Sequence, residues 1–313
     1  AWANSLFEDN AEFGFGMRLA VDSNRETLKA YCEKVLASEK APADLKDAIQ
    51  GALQFWDASK TPEAAVAQEA AKAVIAKYAA QCDCPDLAKV NELADYFTDK
   101  SVWIIGGDGW ANDIGYGGID HVVAMNRNVN ILVLDTEVYS NTGGQASKAS
   151  NIGQVAQFAA AGKEIKSKSL AEIAMTYGYV YVAQIAMGAN KVQTLAAITE
   201  AEAYPGPSII IAYSPCEMHS IKGGMTNCQK EMDKAVKCGY WNLFRYNPSK
   251  NSEKFTLDSK IPADGYREFL MNEARYSRLT REFPDRADSL FEANEANAKA
   301  RFEHLQRLVE MYK

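Results

Sequence analysis

The sequence has 313 residues, of which 47% are hydrophobic and 24% are charged, and these proportions exclude a disordered, collagen-like or coiled-coil protein. Acidic residues number 41 against 34 lysines and arginines, and no basic block could follow a phosphate backbone, so we expect no nucleic-acid partner. The longest apolar runs, such as 179–186 and 208–213, are far shorter than the ~20 residues that span a bilayer, so we expect no membrane segment.

The first ten residues, AWANSLFEDN, have neither an initiator methionine nor the basic and apolar regions of a signal peptide. We expect the sequence to be a fragment of a longer chain. Six cysteines are spread along the sequence without a C-x-x-C pair, which is more typical of reduced thiols than of a disulfide framework. We therefore expect a cytoplasmic protein.

The N-terminal third of the sequence is predicted to be mainly helical. Residues 1–23 mix aromatic residues with glycines, and we predict a loop that enters a helix. Residues 24–100 are rich in alanine, with apolar residues at helical spacing and prolines at positions typical of helix starts. This pattern predicts an inserted helical segment, a hairpin or a small bundle. The predicted helices are 25–38, 43–55, 62–82 and 85–96.

Strands and helices alternate in the middle of the sequence. Apolar runs at 102–105 and 129–134 enclose a glycine-rich helical stretch, which is the pattern of a β-α-β unit with parallel strands. Two further strands are predicted at 179–186 and 208–213, with a helix at 190–204 between them. The sequence therefore predicts an α/β fold with a mainly parallel sheet flanked by helices.

The last hundred residues are predicted to alternate between irregular and helical structure. Residues 247–258 have the composition of a loop, and residues 288–313 have the apolar stripe of an amphipathic helix. That stripe is expected to pack in the core or at an interface.

Two of the predicted strands end in unusual sequences. The first is followed by G-G-D-G-W at 106–110, and the second by D-T-E-V-Y-S-N-T-G-G-Q at 135–145. Because ligands of open parallel sheets bind at the carboxyl ends of the strands, we expect both segments to line one crevice. Glycines at 106, 107 and 109 would let backbone N–H groups approach a phosphate, with the positive end of the following helix directed there.

This phosphate cradle differs from two common ones, because it has neither a Walker lysine nor G-x-G-x-x-G spacing. Asp108, the Thr136 hydroxyl and the Val138 carbonyl could supply the oxygen ligands that Mg²⁺ prefers. Structural alternatives stay open from the residue types alone: Asp108 could cap a helix, and Asn141 could form a turn.

The sequence around these segments resembles one enzyme family. The run G-D-G-W-A-N-D-I-G-Y-G-G-I-D-H begins at Gly107, and L-D-T-E-V-Y-S-N-T-G-G-Q begins at Leu134. With E-A-Y-P-G-P-S-I-I-I-A-Y-S-P-C, which ends at Cys216, they resemble the thiamine diphosphate (TPP)-binding domain near the C-terminus of pyruvate:ferredoxin oxidoreductase. The resemblance covers most of 1–245 and is weakest in the helical insertion and beyond Phe255.

The resemblance implies a TPP-binding fold for residues 1–313. In this division, residues 24–100 are the helical insertion and residues 101–216 form the β-α-β core with the Mg²⁺-diphosphate site. Residues 217–313 supply loops and C-terminal helices.

The resemblance also assigns site residues. Asp108, the Thr136 hydroxyl and the Val138 carbonyl would bind Mg²⁺, and Asn141 would have a polar role beside the reacting carbon. Cys216 would be one thiolate of a [4Fe–4S] cluster whose three further cysteine ligands lie outside this chain. The cofactor-binding residues would be Gly107, Asp108, Gly109, Trp110, Thr136, Glu137, Val138, Tyr139, Ser140 and Asn141.

Residue type alone leaves three of these assignments open. Cys216 could be a buried structural cysteine, and Trp110 and Tyr139 could serve only in packing.

The implied activity is the oxidative decarboxylation of pyruvate, a 2-oxoacid, with CoA to acetyl-CoA and CO₂ in anaerobic metabolism. Electrons would pass through [4Fe–4S] clusters to ferredoxin or flavodoxin. The cofactor-activating glutamate of this family lies on another domain, so we expect this chain to bind only the Mg²⁺-diphosphate part of TPP. The expected partners are a pyrimidine-binding TPP domain and a ferredoxin-like cluster domain, in a homodimer.

Two other functions are compatible with the same motif. A non-oxidative TPP-dependent decarboxylase or synthase has Gly-Asp-Gly but needs no cluster cysteine. A non-catalytic diphosphate-binding module would use the fold without chemistry.

Overall fold

The computed structural model describes residues 7–313, with side chains from residue 8 onward, so residues 1–6 of the predicted N-terminal loop lie outside the described residues. The chain divides into two compact units, one of residues 15–102 and one that combines residues up to 14 with residues 103–313. No helix in the described part of the chain has the length and apolar character needed to cross a membrane.

Helices form most of the unit of residues 15–102, called the helical unit below, and they flank the sheet of the second unit. Their bounds are α1 (Asn10–Ala37), α2 (Ala43–Leu53), α3 (Pro62–Ala79), α4 (Pro85–Leu93), α5 (Tyr116–Ala124), α6 (Leu170–Met175), α7 (Lys191–Ala203), α8 (Cys228–Lys237), α9 (Tyr266–Met271), α10 (Ala274–Ser277), α11 (Leu279–Glu282) and α12 (Pro284–Met311).

Helix α1 begins much earlier than predicted, so the prediction of a loop was wrong for residues 10–23. The glycines that suggested a loop are tolerated because packing outweighs their low helix propensity. At Gly14, a Cβ atom would lie only 2.3 Å from the side chain of Ile104, so the close approach of helix and strand requires glycine there.

The helical unit has a core of its own, in which α2, α3 and α4 pack their apolar faces together with α1. The buried Arg25 guanidinium strengthens this unit by donating hydrogen bonds to the backbone carbonyls of Trp56, Tyr96 and Phe97. These bonds join three separated parts of the unit through one side chain. The core residues are Leu28, Cys32, Val35, Leu45, Ile49, Ala52, Ala71, Ile75, Leu87, Val90, Leu93, Ala94 and Phe97.

The second unit is built on a six-stranded sheet in the order β1-β2-β4-β3-β5-β6. The first four strands of this order are parallel to one another, and β5 pairs antiparallel with both β3 and β6. The predicted α/β class with a mainly parallel, helix-flanked sheet is therefore confirmed. The strands are β1 (Trp103–Gly107), β2 (Asn130–Asp135), β3 (Tyr181–Ile185), β4 (Ser208–Tyr213), β5 (Phe244–Tyr246) and β6 (Phe255–Leu257).

Two short strands were missed, and the prediction of a loop at 247–258 was wrong for the segment that forms β6. Each of these strands has only three residues, too few for an alternating pattern to be recognised. They are fixed by tertiary contacts, since the rings of Phe244 and Phe255 stack with centroids 5.2 Å apart.

The helical unit offers a test of core packing within one helix. Ile75 and Val66 both lie in α3, but Ile75 is fully buried whereas Val66 is 74% exposed. We expect Ile75→Ala to lower the free energy of unfolding by about 2–5 kcal/mol, because it removes buried methyl groups and leaves a cavity. Val66→Ala should change it by less than about 0.5 kcal/mol. Urea unfolding followed by circular dichroism measures both, and equal losses would contradict the assigned core.

Candidate functional site

The glycine turn, residues 106–110 at the end of β1 and directly after it, allows two aromatic rings to approach the backbone. A Cβ atom at Gly106 would lie 2.4 Å from the Trp110 ring, and one at Gly109 would lie 2.4 Å from the Tyr139 ring. Tyr139 also donates a hydrogen bond from its hydroxyl to the Gly109 carbonyl, at 3.2 Å. The turn therefore admits no side chain at 106 or 109 without moving an aromatic residue.

Asp108 follows β1 directly and connects this turn to the loop after β2. Its Oδ1 atom accepts hydrogen bonds from the Thr136 backbone N–H at 3.1 Å and hydroxyl at 2.8 Å. Its Oδ2 atom accepts from the Ser147 hydroxyl at 2.5 Å. The carboxylate thus faces the second loop rather than capping its own helix. Burial raises the pKa of Asp108 to about 6, against these hydrogen bonds, which lower it.

Three oxygen atoms converge at this point with too few protons to satisfy them. The Thr136 hydroxyl oxygen lies 2.8 Å from Asp108 Oδ1 and 2.8 Å from the Val138 carbonyl oxygen. Because one hydroxyl proton can serve only one of these acceptors, a cation among the three oxygens would satisfy the set better than hydrogen bonding does. A carboxylate, a hydroxyl and a carbonyl are hard ligands of the kind that Mg²⁺ prefers, with phosphate and water at its other positions. The residues fit Mg²⁺.

An open cavity of about 440 Å³ lies over this oxygen triad. Both predicted segments line it, and so does the exposed Asn141. The apolar side chains of Ile105 and Leu134, 54% and 40% exposed, form part of its wall, although the sequence did not single them out. Asn10 completes the lining and donates from Nδ2 to the Ile105 carbonyl at 2.9 Å. The predicted residues that line the cavity are Gly107, Asp108, Gly109, Trp110, Thr136, Val138, Tyr139, Ser140 and Asn141.

Glu137 is the predicted cofactor-binding residue that the structure does not bring to the cavity. Its side chain is only 2% exposed, and its carboxylate forms an ion pair with Arg275 at 2.6 Å. It also accepts hydrogen bonds from Asn151 at 2.7 Å and Tyr240 at 2.6 Å. The physical reason is backbone geometry: a φ of 56° at Glu137 turns its side chain away from those of its neighbours.

The loop after β2 is held by polar residues that the sequence did not single out. Besides Ser147, the Ser150 hydroxyl donates to the Glu137 carbonyl at 2.5 Å. The Lys163 ammonium donates to the carbonyls of Ser147 at 3.0 Å and Ser150 at 2.6 Å, and burial lowers its pKa. The serines at 147 and 150, shortly after Gly143 and Gly144, could have indicated these loop contacts from the sequence. Lys163 and Arg275 lie too far along the chain to be linked to them.

Cys216 follows β4, which pairs with β2, so its turn lies at the same edge of the sheet as the oxygen triad. The turn is closed by a hydrogen bond of 2.8 Å from the Cys216 backbone N–H to Nδ1 of the buried His219. It contacts the loop after β2, because a Cβ atom at Gly144 would lie 2.2 Å from the Met218 methyl group. Cys216 is a partly buried free thiol. Within residues 8–313, no three or more His, Cys, Asp or Glu side chains are grouped so that they could hold a metal ion.

Comparison with known proteins identifies this chain's relatives. Residues 87–212 match the family model described as the C-terminal TPP-binding domain of thiamine pyrophosphate enzymes. The chain is 50% identical to a pyruvate:ferredoxin oxidoreductase of Moorella thermoacetica over 99% of this chain and 27% of that protein. It is 48% identical to a pyruvate-flavodoxin oxidoreductase of Klebsiella pneumoniae over 98% of this chain and 26% of that protein. Over nearly its whole length, the chain is therefore similar to one region of these oxidoreductases.

Two further matches are less similar to this chain. A Euglena gracilis protein named pyruvate dehydrogenase [NADP(+)], mitochondrial, is 41% identical over 99% of this chain and 17% of that protein. The match to a solved 2-oxoglutarate:ferredoxin oxidoreductase of Magnetococcus marinus covers 37% of this chain and 40% of that chain, at 28% identity and a TM-score of 0.34. The chain spans about a quarter of the length of the first two relatives.

The glycine turn can be tested by adding one methyl group. We expect Gly109→Ala to lower the free energy of unfolding by about 1–3 kcal/mol, because its Cβ would meet the Tyr139 ring. The backbone φ of −63° at Gly109 suits alanine, so backbone strain would not contribute to the loss. The control is Gly117→Ala in α5, where nothing lies within 4 Å of the added Cβ and a helical alanine should stabilise by about 0.5–1 kcal/mol. Denaturant unfolding of both variants measures the difference, and two equal changes would contradict the contact.

The buried acids beside Arg275 predict a pH dependence of stability. Burial raises the pKa of Glu273 from its ordinary 4.5 to about 7, although Arg275 opposes the shift. Between these two values the folded chain holds a proton on Glu273 that the unfolded chain has lost. The stability from this proton is fully present below about pH 4.5 and is lost as the pH rises through about 7.

A variant that cannot titrate isolates this contribution. As the pH falls from about 7 toward 4.5, we expect the wild type to gain stability relative to Glu273→Gln by about 1.4 kcal/mol per pH unit. Urea unfolding of both proteins across this range measures the gain. Parallel pH profiles would show that the pKa of Glu273 is not raised.

Proposed function

We propose that this chain binds the Mg²⁺-diphosphate part of TPP in a pyruvate:ferredoxin or pyruvate-flavodoxin oxidoreductase. The observation that carries the proposal is the oxygen triad of Asp108, Thr136 and Val138 at the floor of an open cavity. The triad has the chemistry of a magnesium site, and the adjoining cavity leaves room for a diphosphate. The similarity to these oxidoreductases and the matched TPP-binding model support the same cofactor.

Each residue of the cavity has a role in this proposal. The triad holds Mg²⁺, and the backbone N–H groups of Gly107 and Gly109 approach the diphosphate. Trp110 and Tyr139 keep the turn rigid by packing against its glycines, whereas Asn141 supplies a polar group beside the reacting carbon. The apolar wall of Ile105 and Leu134 excludes water from one side of the cavity. Bound TPP supplies the electron sink that decarboxylation of a 2-oxoacid requires.

The cluster assignment of Cys216 belongs to the same proposal. The turn of Cys216 contacts the loop after β2 through Met218 and Gly144. A cluster bound at Cys216 would therefore lie close to the cavity, where decarboxylation would release electrons. One thiolate cannot hold a [4Fe–4S] cluster, and the three other cysteines would come from outside this chain. A non-oxidative TPP decarboxylase or synthase has no use for a thiolate at this position.

The rest of the enzyme is proposed from the relatives, which are about four times as long as this chain. The substrate would be pyruvate with CoA, in a cytoplasmic homodimer that also contains a pyrimidine-binding TPP domain and a ferredoxin-like cluster domain. The relatives' names give ferredoxin, flavodoxin and NADP(+) for proteins that share this region. The electron acceptor would therefore be selected by other parts of the protein, with ferredoxin or flavodoxin as the proposed acceptor here.

Two isosteric variants of the complete protein test this function. We expect Asp108→Asn to weaken Mg²⁺-dependent TPP binding by more than about tenfold, because it removes the one charged ligand of the triad. Cys216→Ser should bind TPP like the wild type but lose one cluster's worth of iron and acid-labile sulfide. Both variants should lose pyruvate-dependent reduction of ferredoxin. Calorimetric titration of TPP with Mg²⁺, iron and sulfide assays and the activity assay measure these effects.

The pattern of results distinguishes the competing functions. Unchanged TPP binding by Asp108→Asn would overturn the magnesium site. If Cys216→Ser kept the iron content of the wild type and decarboxylation needed no electron acceptor, a non-oxidative enzyme would be favoured. TPP binding without any turnover of pyruvate by the wild type would favour a non-catalytic module.

A further inference from the structure

Glu137 lies between two residues of the oxygen triad and has an unusual backbone conformation. Thr136 precedes it and Val138 follows it, and its φ of 56° is in the left-handed region. This conformation costs a non-glycine residue about 1–2 kcal/mol, so it persists only where the surroundings enforce it. The residue therefore needs an explanation beyond the local sequence.

The surroundings of Glu137 enforce this conformation through its backbone. Its N–H donates to Asp135 Oδ1 at 2.9 Å, and its carbonyl accepts from the Ser150 hydroxyl at 2.5 Å and the Gln154 amide at 2.9 Å. The N–H and the carbonyl of Glu137 are therefore both bonded to residues that do not line the cavity.

The side chain of Glu137 is fixed equally firmly, by a buried ion pair. Arg275 Nη1 lies 2.6 Å from Glu137 Oε2, and both side chains are 2% exposed. The carboxylate also accepts hydrogen bonds from Asn151 and Tyr240. The Arg275 backbone carbonyl in turn accepts from the Val155 N–H at 2.7 Å, so the arginine is itself anchored to the loop after β2.

We propose that Glu137 is a positioning residue for the metal site, held by its ion pair with Arg275. The pair keeps Glu137 in the left-handed conformation, which directs the Thr136 hydroxyl and the Val138 carbonyl to the same point beside Asp108. Glu137 does not touch the cavity and acts only through its two neighbours. This inference rests on the proposed function, because it assumes that the triad binds Mg²⁺.

The structure provides a matched control for the loss of this carboxylate. Glu273 is fully buried and also contacts Arg275, with Nε donating to its Oε2 at 2.6 Å. It directly precedes α10 and is not part of the loop after β2, which carries Thr136 and Val138. Above the pKa of Glu273, about 7, Glu137→Gln and Glu273→Gln therefore remove the same charge from the same arginine, but only the first removes it from the triad's loop.

The experiment measures metal binding in the complete protein with TPP present. Mn²⁺ replaces Mg²⁺ as the probe, and room-temperature electron paramagnetic resonance counts the free ion. We expect Glu137→Gln to weaken Mn²⁺ binding by about 10–100-fold and Glu273→Gln by less than about threefold. Hydrogen exchange should show faster exchange of the amides at 136–141 in Glu137→Gln alone.

A milder variant covers the case in which Glu137→Gln fails to fold. Asn151→Leu removes one hydrogen bond to the Glu137 carboxylate and keeps the ion pair. We expect it to weaken Mn²⁺ binding by a smaller factor and to increase exchange in the same amides.

The outcomes separate this inference from the proposed function. Saturable Mn²⁺ binding by the wild type that neither Glu137→Gln nor Asn151→Leu weakens would overturn the positioning role alone. Equal weakening by Glu137→Gln and Glu273→Gln would also overturn it, because the effect would then arise from the charge balance of Arg275. Absence of saturable Mn²⁺ binding by the wild type would overturn the proposed function, and the positioning role with it.

Discussion

The buried Arg275 guanidinium is the contact on which the arrangement of the cavity's loop depends. A charge buried this deeply is stable only when it is paired, and Arg275 contacts the carboxylates of Glu137 and Glu273 at 2.6 Å each. Removing both carboxylates would leave an uncompensated charge in the interior, at a cost of several kcal/mol. The pair joins α10, which follows the sheet in sequence, to the loop directly after β2. One interaction therefore connects the C-terminal helices to the cavity.

The carboxyl edge of the sheet adds a second constraint, which is electrostatic. Asp108, Asp135 and Glu137 are all buried near this edge, and burial together with their mutual repulsion raises the pKa values of both aspartates. A bound divalent cation would reverse this effect at Asp108 by favouring its ionised form. A cation bound there would therefore stabilise this edge of the sheet.

The sequence was sufficient to predict the parallel strands and most of the cavity lining. Apolar runs bounded by glycines indicate strands independently of the rest of the chain, and the position of Asp108 and Thr136 at strand ends follows from the parallel sheet. The orientation of Glu137 could not be predicted, because it depends on a left-handed φ and on Arg275, which lies more than a hundred residues further along. The early start of α1 was missed for a similar reason, since Gly14 is explained only by its contact with Ile104. Contacts between distant residues thus account for what local patterns did not reveal.

The strand order also determines where residues could be inserted without moving the oxygen triad relative to the Cys216 turn. Adjacent parallel strands lie about 4.8 Å apart, so the ends of β1, β2 and β4 are spaced by the hydrogen-bond lattice of the sheet. The separation between the oxygen triad and the Cys216 turn is therefore independent of how many residues connect β2 to β4. Insertions in the intervening surface segments, such as the connection between α6 and β3, would leave that separation unchanged. A one-residue slip of β4 against β2 would instead shift the turn along the sheet by about 3.3 Å and reverse which face each side chain occupies.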